Sequence, residues 1–274
     1  MTRLVADAVT LGYDSRVVAR DLTVRIPDES LTVIVGPNAC GKSTLLRALA
    51  RLLAPAAGRV LLDGEQIAGL PAKEVARRLG LLPQSPIAPD GITVADLVSR
   101  GRYPHQGLLR QWSPEDERAV ARALAATGVT DLARRPVDQL SGGQRQRVWL
   151  ALALAQETPI LLLDEPTTYL DIAHQVEVLD LCARLHDEGG RTLVAVLHDL
   201  NQASRYATHL IALRDGRVVA AGDPAAIVTE ELVAEVFGLS CRVITDPESG
   251  TPLVIPRLTG ARRARPRTTT GELQ

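Results

Sequence analysis

The sequence predicts an α/β fold with a buried parallel sheet, an N-terminal antiparallel β-subdomain and an inserted α-helical subdomain. Continuous apolar runs at 160–163 and 192–197 are typical of parallel strands that are buried on both faces. Residues 3–35 alternate between apolar and polar side chains, which indicates short antiparallel strands that lead into the apolar run 31–35. From 85 to 155 the pattern becomes helical, so we expect the helical subdomain there.

Apolar periodicity and turn residues place the individual elements along the chain. Strands are predicted at 4–6, 9–11, 22–26, 31–35, 59–64, 79–84, 160–165 and 192–197, with a hairpin over 210–222 and a strand pair between 241 and 255. Helices are predicted from about 42 to 49 and at 72–78, 94–100, 114–127, 144–156 and 225–237. The Asp-Gly pairs at 63–64 and 215–216 are typical hairpin turns.

The composition limits the class of function. The 274 residues are 46% hydrophobic, which allows a substantial core in one large or two modest domains. A net charge of −1 and an aromatic fraction of 3% argue against nucleic-acid binding by charge attraction or base stacking. We expect no signal peptide and no membrane span, because no apolar signal core opens the chain and no window reaches about 18 apolar residues. The three cysteines lack metal-ligand spacing and suit a reducing cytosol.

The segment that follows the run 31–35 matches the phosphate-binding pattern G-x-x-x-x-G-K-[ST]. It consists of Gly36, Pro37, Asn38, Ala39, Cys40, Gly41, Lys42, Ser43 and Thr44. Glycines at both ends let the backbone wrap tightly, so that successive N–H groups point into one concavity. The helix that follows adds the positive end of its dipole. The sequence therefore predicts a P-loop NTPase (RecA-like) core that binds a polyphosphate.

Two side chains of this loop have specific chemistry. Lys42 is one of only two lysines in a chain that otherwise uses arginine. Its compact ammonium fits beneath a phosphate chain where a planar guanidinium is too bulky. The Ser43 hydroxyl is placed to ligate Mg²⁺. These residues predict nucleotide binding without saying what the nucleotide is used for.

Polar or aromatic side chains elsewhere have a functional and a structural interpretation. Asp164 suits Mg²⁺ coordination and Glu165 a general base for water, or both simply precede a helix. Gln84 is either a ligand of Mg²⁺ or water, or a turn residue. His198 ends a strand parallel to the one that carries Asp164, and either contacts a γ-phosphate or has a structural role. Tyr13 either stacks on a purine or is a surface tyrosine in a hairpin.

A second phosphate-seeking helix end is predicted in the helical subdomain. The motif consists of Leu140, Ser141, Gly142, Gly143 and Gln144, directly before a long helix. Ser141 is placed to cap this helix, and two glycines expose its N-terminal N–H groups. One chain with two such helix ends needs an explanation.

Together these motifs resemble the ATP-binding subunit of ABC transporters, over roughly residues 3–257. The 140–144 segment is similar to the family signature, which is far more specific than the P-loop. The resemblance implies that 36–44 is the Walker A loop and that Asp164 and Glu165 are the Walker B pair. It also assigns Tyr13 to adenine stacking, Gln84 to the Q-loop, Asp171 to the D-loop and His198 to the switch histidine.

The resemblance explains the second anion site. In this family two subunits pair head-to-tail, so that the signature of one copy covers ATP held by the other. Ser141, Gly142, Gly143, Gln144 and Asp171 then act on the partner's nucleotide. The implied cofactors are ATP and Mg²⁺. The implied partners are a second copy, two transmembrane permeases and, indirectly, an extracytoplasmic binding protein, which places the subunit peripherally on the cytoplasmic face of the membrane.

Further motifs are similar to the importer branch for iron–siderophore, haem and cobalamin. They lie at 101–106 and 167–175, while 241–244 with 250–252 resembles the siderophore members in particular. Ferric siderophore is therefore the expected cargo, with haem or cobalamin as alternatives. The implied boundaries are 1–84 with 156–235 for the core and β-subdomain, 85–155 for the helical subdomain and 236–257 for a C-terminal extension. The Arg-rich segment 258–274 is expected to be a disordered tail, with contact to anionic lipid as the alternative.

The P-loop contains two unusual residues. Ala39 stands where the family usually has glycine, and costs about 1 kcal/mol if that position needs a positive φ. We expect the Cys40 thiolate to be favoured by the helix end and by Lys42, which would make it reactive toward a maleimide. The alternative is an inert small residue.

Two other classes of protein share parts of this pattern. Soluble ABC proteins that act on ribosomes or DNA usually carry tandem cassettes or long coiled-coil insertions, and this chain has one cassette with neither. A P-loop kinase or GTPase would leave the 140–144 motif without a purpose. A transport ATPase uses every motif.

Overall fold

The computed structural model describes residues 2–14, 16–107 and 112–257. The predicted tail 258–274 lies outside the described residues. Among the described residues, no helix is long and apolar enough to span a membrane.

The N-terminal antiparallel sheet has the strand order β2-β1-β4-β5. Its strands are β1 (Thr2–Tyr13), β2 (Arg16–Pro27), β4 (Ala57–Leu62) and β5 (Glu65–Gln66). The expected short strands at 4–6 and 9–11 are one continuous strand, because an irregularity at Ala8, with φ of 50°, reverses the alternation without ending the pairing. Asp63 and Gly64 form the predicted turn with φ values of 52° and 85°.

The central sheet has the strand order β10-β9-β3-β8-β7-β6. Its strands are β3 (Leu31–Val35), β6 (Leu79–Leu82), β7 (Ile160–Asp164), β8 (Thr192–Val196), β9 (His209–Arg214) and β10 (Arg217–Gly222). The first five are parallel to one another, and β10 is antiparallel to β9. Every residue of β3, β7 and β8 is buried, as the continuous apolar runs predicted.

The helices surround this sheet and form the inserted region. They are α1 (Lys42–Leu49), α2 (Ala72–Arg78), α3 (Val94–Ser99), α4 (Pro114–Ala126), α5 (Gly142–Ala155), α6 (Ile172–Asp187), α7 (Leu200–Tyr206), α8 (Pro224–Ile227) and α9 (Glu230–Phe237). The single helix predicted at 225–237 is wrong: Thr229 is extended and its side chain caps α9, which divides the segment into α8 and α9. Helices α6 and α7 are not among the helices predicted from the sequence.

Two hydrophobic clusters cover the two faces of the central sheet. Val33, Leu161 and Leu193 pack with α5, α6 and α9 on one face. Ile34, Leu162 and Val194 alternate with them and pack with α1 and the antiparallel sheet on the other face. This alternation places the helical region and the β-region on opposite sides of the sheet.

A buried ion pair joins α4 to the C-terminal end of α5. The Arg102 Nε donates to Asp116 of α4 at 2.9 Å, and its Nη1 donates to the Ala155 carbonyl of α5 at 2.7 Å and to Glu157 at 2.9 Å. Hydrogen bonds from Arg102 and from Ser113 outweigh the opposing effect of burial and hold the pKa of Asp116 below its ordinary value. The helix that carries the 140–144 motif is therefore anchored at its far end.

Candidate active site

The candidate site lies at the carboxyl ends of four adjacent parallel strands, β3, β8, β7 and β6. Gly36 directly follows β3, and Glu165 directly follows β7. His198 lies two residues after the end of β8, and Gln84 lies two residues after the end of β6. Because parallel strands end at the same edge of a sheet, residues far apart in the sequence meet there. The predicted P-loop, Walker B pair, Q-loop and switch histidine are thus brought together.

The loop 36–44 is held in a conformation that suits an anion. Gly36 has φ of 153°, and a Cβ there would lie 2.1 Å from the Leu213 carbonyl oxygen. Gly41 has φ of 108°, and Ala39 has the positive φ, 61°, that the glycine usual in this position would adopt easily. The Lys42 side chain is only 5% exposed and its Nζ donates to the Gly36 and Pro37 carbonyls at 2.8 and 2.9 Å.

The N-terminus of α1 has no side-chain cap, which fits phosphate binding. Among the nine α-helices of the described ranges, seven have a capping side chain that accepts a bond from a first-turn N–H. At α1 the N-cap is Gly41, so its first N–H groups are left without such an acceptor. With the Lys42 ammonium behind them, these groups form a donor set for a polyphosphate.

Ser43 and Asp164 supply adjacent oxygen ligands for a divalent cation. The Ser43 hydroxyl donates to Asp164 Oδ1 at 2.8 Å. Burial raises the pKa of Asp164, the Ser43 bond opposes that rise, and the neighbouring charge of Glu165 adds to it. A buried carboxylate beside a hydroxyl fits Mg²⁺, a hard cation that prefers oxygen ligands and would compensate the buried charge.

Glu165 is held at the centre of a hydrogen-bonded group. Gln84 Nε2 donates to its Oε2 at 2.8 Å, Thr168 Oγ1 donates to the same oxygen at 3.1 Å, and His198 Nε2 lies 2.7 Å from Oε1. The φ of Glu165 is 55°, a conformation that costs a non-glycine residue about 1–2 kcal/mol and is typical of functional sites. The sequence analysis missed Thr168, because nothing in the sequence distinguishes it from Thr167.

A cavity of about 240 Å³ lies between the P-loop and the Glu165–His198 pair. It is lined by Tyr13, Arg16, Val18, Asn38, Ala39, Gly41, Lys42, Ser43, Thr44, Glu165 and His198. Tyr13 is 42% exposed and its hydroxyl accepts a bond from Arg47 at 3.2 Å, so its ring stands at the mouth of the cavity. Arg16 and Val18, on the edge strand β2, are cavity residues that the sequence analysis missed.

The 140–144 motif and Asp171 are not among the described residues that line this cavity. Ser141 forms a capping box with Gln144: its hydroxyl accepts from the Gln144 N–H at 3.2 Å, and the Ser141 N–H donates to Gln144 Oε1 at 3.1 Å. Gly142 is exposed beside it. Asp171 caps α6 and accepts bonds from the N–H and Nδ1 of His174 at 2.9 and 2.7 Å. The described lining of the chain's own P-loop cavity therefore does not explain these residues.

The expectation of a reactive Cys40 is wrong. The side chain is 5% exposed and packs beneath the loop, against the space that a Cβ on Gly36 would occupy. Burial raises the pKa of the thiol, and the charge of Lys42 only partly offsets that effect. Desolvation therefore outweighs Lys42 and the backbone hydrogen bonds, which favours the protonated thiol over the thiolate.

The comparisons with known proteins agree with this geometry. A family model described as "ABC transporter" matches residues 19–168. The chain belongs to the ABC transporter family. Among its relatives, the ferric enterobactin transport ATP-binding protein FepC of Escherichia coli (strain K12) is 60% identical over 93% of this chain and 94% of that protein.

Other relatives in the family cover the chain almost completely. The probable siderophore transport system ATP-binding protein YusV of Bacillus subtilis (strain 168) is 56% identical over 93% of both chains. A putative metal-chelate type ABC transporter, solved in an inward-facing conformation, superposes with a TM-score of 0.79 at 28% identity, over 94% of this chain and 98% of that one. The predicted resemblance and the predicted P-loop NTPase fold are therefore confirmed.

The family also fits the nucleotide chemistry of the site. The dimeric ATP-binding cassette MJ0796, solved in a post-hydrolysis state with ADP and Pi, superposes with a TM-score of 0.72 at 29% identity, over 80% of this chain and 98% of that one. As a member of this family with a P-loop that fits a polyphosphate, the chain is an ATPase that binds ATP. The predicted enzyme class is confirmed.

Proposed function

We propose that this chain is the ATP-hydrolysing subunit of an ABC importer that takes up ferric siderophores. The observation that carries the ATPase role is the placement of Glu165 between Gln84 and His198, next to the Ser43–Asp164 pair. The cargo is supported by relatives named for siderophore transport at 52–60% identity. A cobalamin import relative from Halobacterium salinarum (strain ATCC 29341 / DSM 671 / R1) is 43% identical, and this chain spans 59% of its length.

The P-loop binds and orients the nucleotide. Tyr13 stacks on the adenine at the mouth of the cavity, while the loop N–H groups from Asn38 to Thr44 surround the phosphates. Lys42 moves its ammonium from the Gly36 and Pro37 carbonyls to the β- and γ-phosphates. Ser43, Asp164 and Gln84 are the residues that would hold Mg²⁺, which, when bound, withdraws charge from the phosphate oxygens.

Glu165 acts as the general base. It accepts a proton from the water that attacks the γ-phosphate, a role that needs a carboxylate held within hydrogen-bond reach of that water. His198 and Gln84 already contact its two oxygens, so they fix the carboxylate and contact the γ-phosphate and water from either side. Thr168 keeps the same carboxylate in place by its bond to Oε2.

A second copy of the chain completes each site. Ser141, Gly142, Gly143, Gln144 and Asp171 of one copy cover the ATP bound to the other. Gly142 and Gly143 support this arrangement, because neither has a positive φ. A Cβ added at Gly142 would come no closer than 3.8 Å to another atom, and one added at Gly143 would meet only the flexible end of Leu170 at 3.2 Å. The monomer itself gives no reason for two glycines, whereas a phosphate approaching the α5 N-terminus does.

The remaining partners follow from an importer subunit. Two transmembrane permeases receive the force of dimer closure, an extracytoplasmic binding protein delivers the cargo to them, and no nucleic acid is involved. The chain lies peripherally on the cytoplasmic face of the membrane. The region 85–155 is its helical subdomain with the signature, 1–84 and 156–235 form its core with the β-subdomain, and 236–257 is its C-terminal extension.

Replacing Glu165 by Gln tests the ATPase mechanism. We expect turnover to fall about a thousandfold, the size expected for loss of a general base. ATP binding is retained, and the variant elutes as an ATP-bound dimer in size-exclusion chromatography with light scattering. The matched control is Glu117→Gln, an exposed glutamate on α4, which keeps full turnover. Undiminished hydrolysis by Glu165→Gln removes the residue from the base role, and a monomer with MgATP excludes the sandwich.

Affinity capture from detergent-solubilised membranes tests the transport role. We expect two integral permeases to co-purify and ferric siderophore to be taken up by vesicles that contain the complex. Uptake of haem or cobalamin in place of siderophore would reassign the cargo. Capture of ribosomes or DNA without permeases would show a soluble ABC protein.

A further inference from the structure

Helix α7 begins two residues after His198. Its first turn is hydrogen-bonded to the C-terminal hairpin on one side and to α6 on the other. The His198 side chain is 48% exposed, and its imidazole Nε2 lies 2.7 Å from Glu165 Oε1. About half of this side chain is therefore not covered by protein. Its position depends on the backbone between β8 and α7, and hence on what holds α7.

Asn201, in the first turn of α7, binds the C-terminal hairpin formed by β11 (Cys241–Thr245) and β12 (Pro252–Pro256). Its Nδ2 donates to the Val254 carbonyl at 3.2 Å, and its Oδ1 accepts from the Val254 N–H at 2.7 Å. Its side-chain amide thus replaces a neighbouring strand and satisfies both main-chain groups of a buried residue. No aliphatic side chain can make this pair of bonds.

Gln202, the next residue, connects α7 to the other side of the site. Its Nε2 donates to Gln175 Oε1 at 2.8 Å, and Gln175 Nε2 donates to the Leu170 carbonyl at 3.0 Å. Leu170 lies in the segment between Glu165 and α6, so α7 is linked to the segment that carries the proposed base. The start of α7 therefore joins the hairpin to both Glu165 and His198.

We propose that Asn201 is a positioning residue for hydrolysis, which fixes His198 against Glu165 by anchoring α7 to β12. This inference rests on the proposed role of His198. It makes the C-terminal hairpin part of the active-site scaffold, although no described residue of that hairpin lines the nucleotide cavity. Without the anchor, α7 is free to shift, and a shift of His198 by about 1 Å costs up to about a hundredfold in rate.

The experiment compares Asn201→Ala in the wild-type and His198→Ala backgrounds. In the wild type we expect kcat for ATP to fall about tenfold with KM within about twofold, since Asn201 does not touch the nucleotide. In the His198→Ala background the same substitution changes kcat less than about twofold, because there is no imidazole left to position. Asn201→Asp keeps the bond from the Val254 N–H but not the bond to its carbonyl, so its loss of kcat is intermediate.

The matched control is Arg205→Ala at the other end of α7. Arg205 is partly exposed and makes ion pairs with Asp246 and Glu248 at 3.8 and 3.5 Å, so it contacts the turn of the same hairpin from the last turn of α7. We expect its kcat to stay within about twofold. Full turnover by Asn201→Ala, or an equal loss in both backgrounds, overturns the inference and leaves the proposed function intact. Full turnover by His198→Ala instead refutes the proposed role of the histidine.

Discussion

The chain has two glycine-containing segments that lead into a helix N-terminus. They differ in whether one chain alone supplies the groups that surround an anion. In the loop 36–44, two glycines have positive φ and a buried lysine lies behind the open N–H groups of α1. In the segment 140–144 the glycines are helical, and the N-cap Ser141 is exposed. The first segment forms a site within one chain, while the second presents a helix end to the outside.

The two segments also differ in whether the chain itself leaves room for a side chain at the glycine. At Gly36 the chain's own backbone excludes a Cβ, since the Leu213 carbonyl oxygen would lie 2.1 Å away. At Gly142 the nearest atom to an added Cβ is 3.8 Å away, which is ordinary contact. Glycine is therefore required by the fold at 36, whereas nothing in the monomer excludes a side chain at 142, as we expect if a second copy's nucleotide approaches there.

Substitution of Gly36 should destabilise the fold, whereas substitution of Gly142 should leave the fold intact and reduce only turnover. The change at Gly36 has the largest effect that we expect. Gly36→Ala combines an unfavourable φ with a backbone clash, so the free energy of unfolding falls by about 3 kcal/mol or more and ATP binding is lost. Thermal unfolding and nucleotide titration measure both effects. A variant with unchanged stability and affinity would show that the loop does not need its observed backbone conformation.

Gly142→Leu is the matched partner of that substitution. Its stability stays within about 0.5 kcal/mol of the wild type, and ATP binding to the monomer is unchanged. Turnover falls about a hundredfold, because the side chain blocks the α5 N–H groups from the nucleotide on the second copy. A loss of stability comparable to that of Gly36→Ala, or full turnover, would remove the distinction between the two segments.

A smaller effect, on thiol reactivity, is expected at Cys40, which is buried within the loop 36–44. Because burial raises the pKa of the thiol above its ordinary value, only a small fraction is thiolate at neutral pH. We expect maleimide to label Cys40 in the folded protein about tenfold or more slower than in the denatured protein, with a rate that still rises above pH 9. Mass spectrometry of the Cys40 peptide measures this. A rate that levels off below pH 9 would show that Lys42 and the helix end dominate after all.

The same contrast explains which features the sequence predicts. Gln84, Glu165 and His198 were predictable as a group, because each follows an apolar run and parallel strands end at one edge. Ser141 was predictable as a cap because serine before a glycine pair and a helical run is a local signal. Properties that depend on strand order or local spacing can be inferred from the residues alone.

Properties set by tertiary packing were not predictable. The thiol pKa of Cys40 depends on side chains above and below the loop, so the local argument from Lys42 gave the wrong direction. The left-handed backbone of Glu165 and its bond from Thr168 are visible only once the turn after β7 is folded. Helix 225–237 was expected to be continuous because the extended backbone of Thr229 is not specified by periodicity.

The smallest effect that we expect concerns Ala39, which lies in the loop 36–44 and has a φ of 61°. Ala39→Gly removes a left-handed strain of about 1–2 kcal/mol but adds about 0.4–1 kcal/mol of conformational freedom to the unfolded chain. The net gain lies between about 0 and 1.6 kcal/mol, with a midpoint of about 0.8 kcal/mol that raises Tm by about 2–3 °C in a domain of this size. Because glycine adopts the observed φ of position 39 without strain, we expect the affinity for ATP to stay within about twofold. Differential scanning calorimetry without nucleotide measures the gain, and a lower Tm would mean that the unfolded-state entropy exceeds the strain at this position.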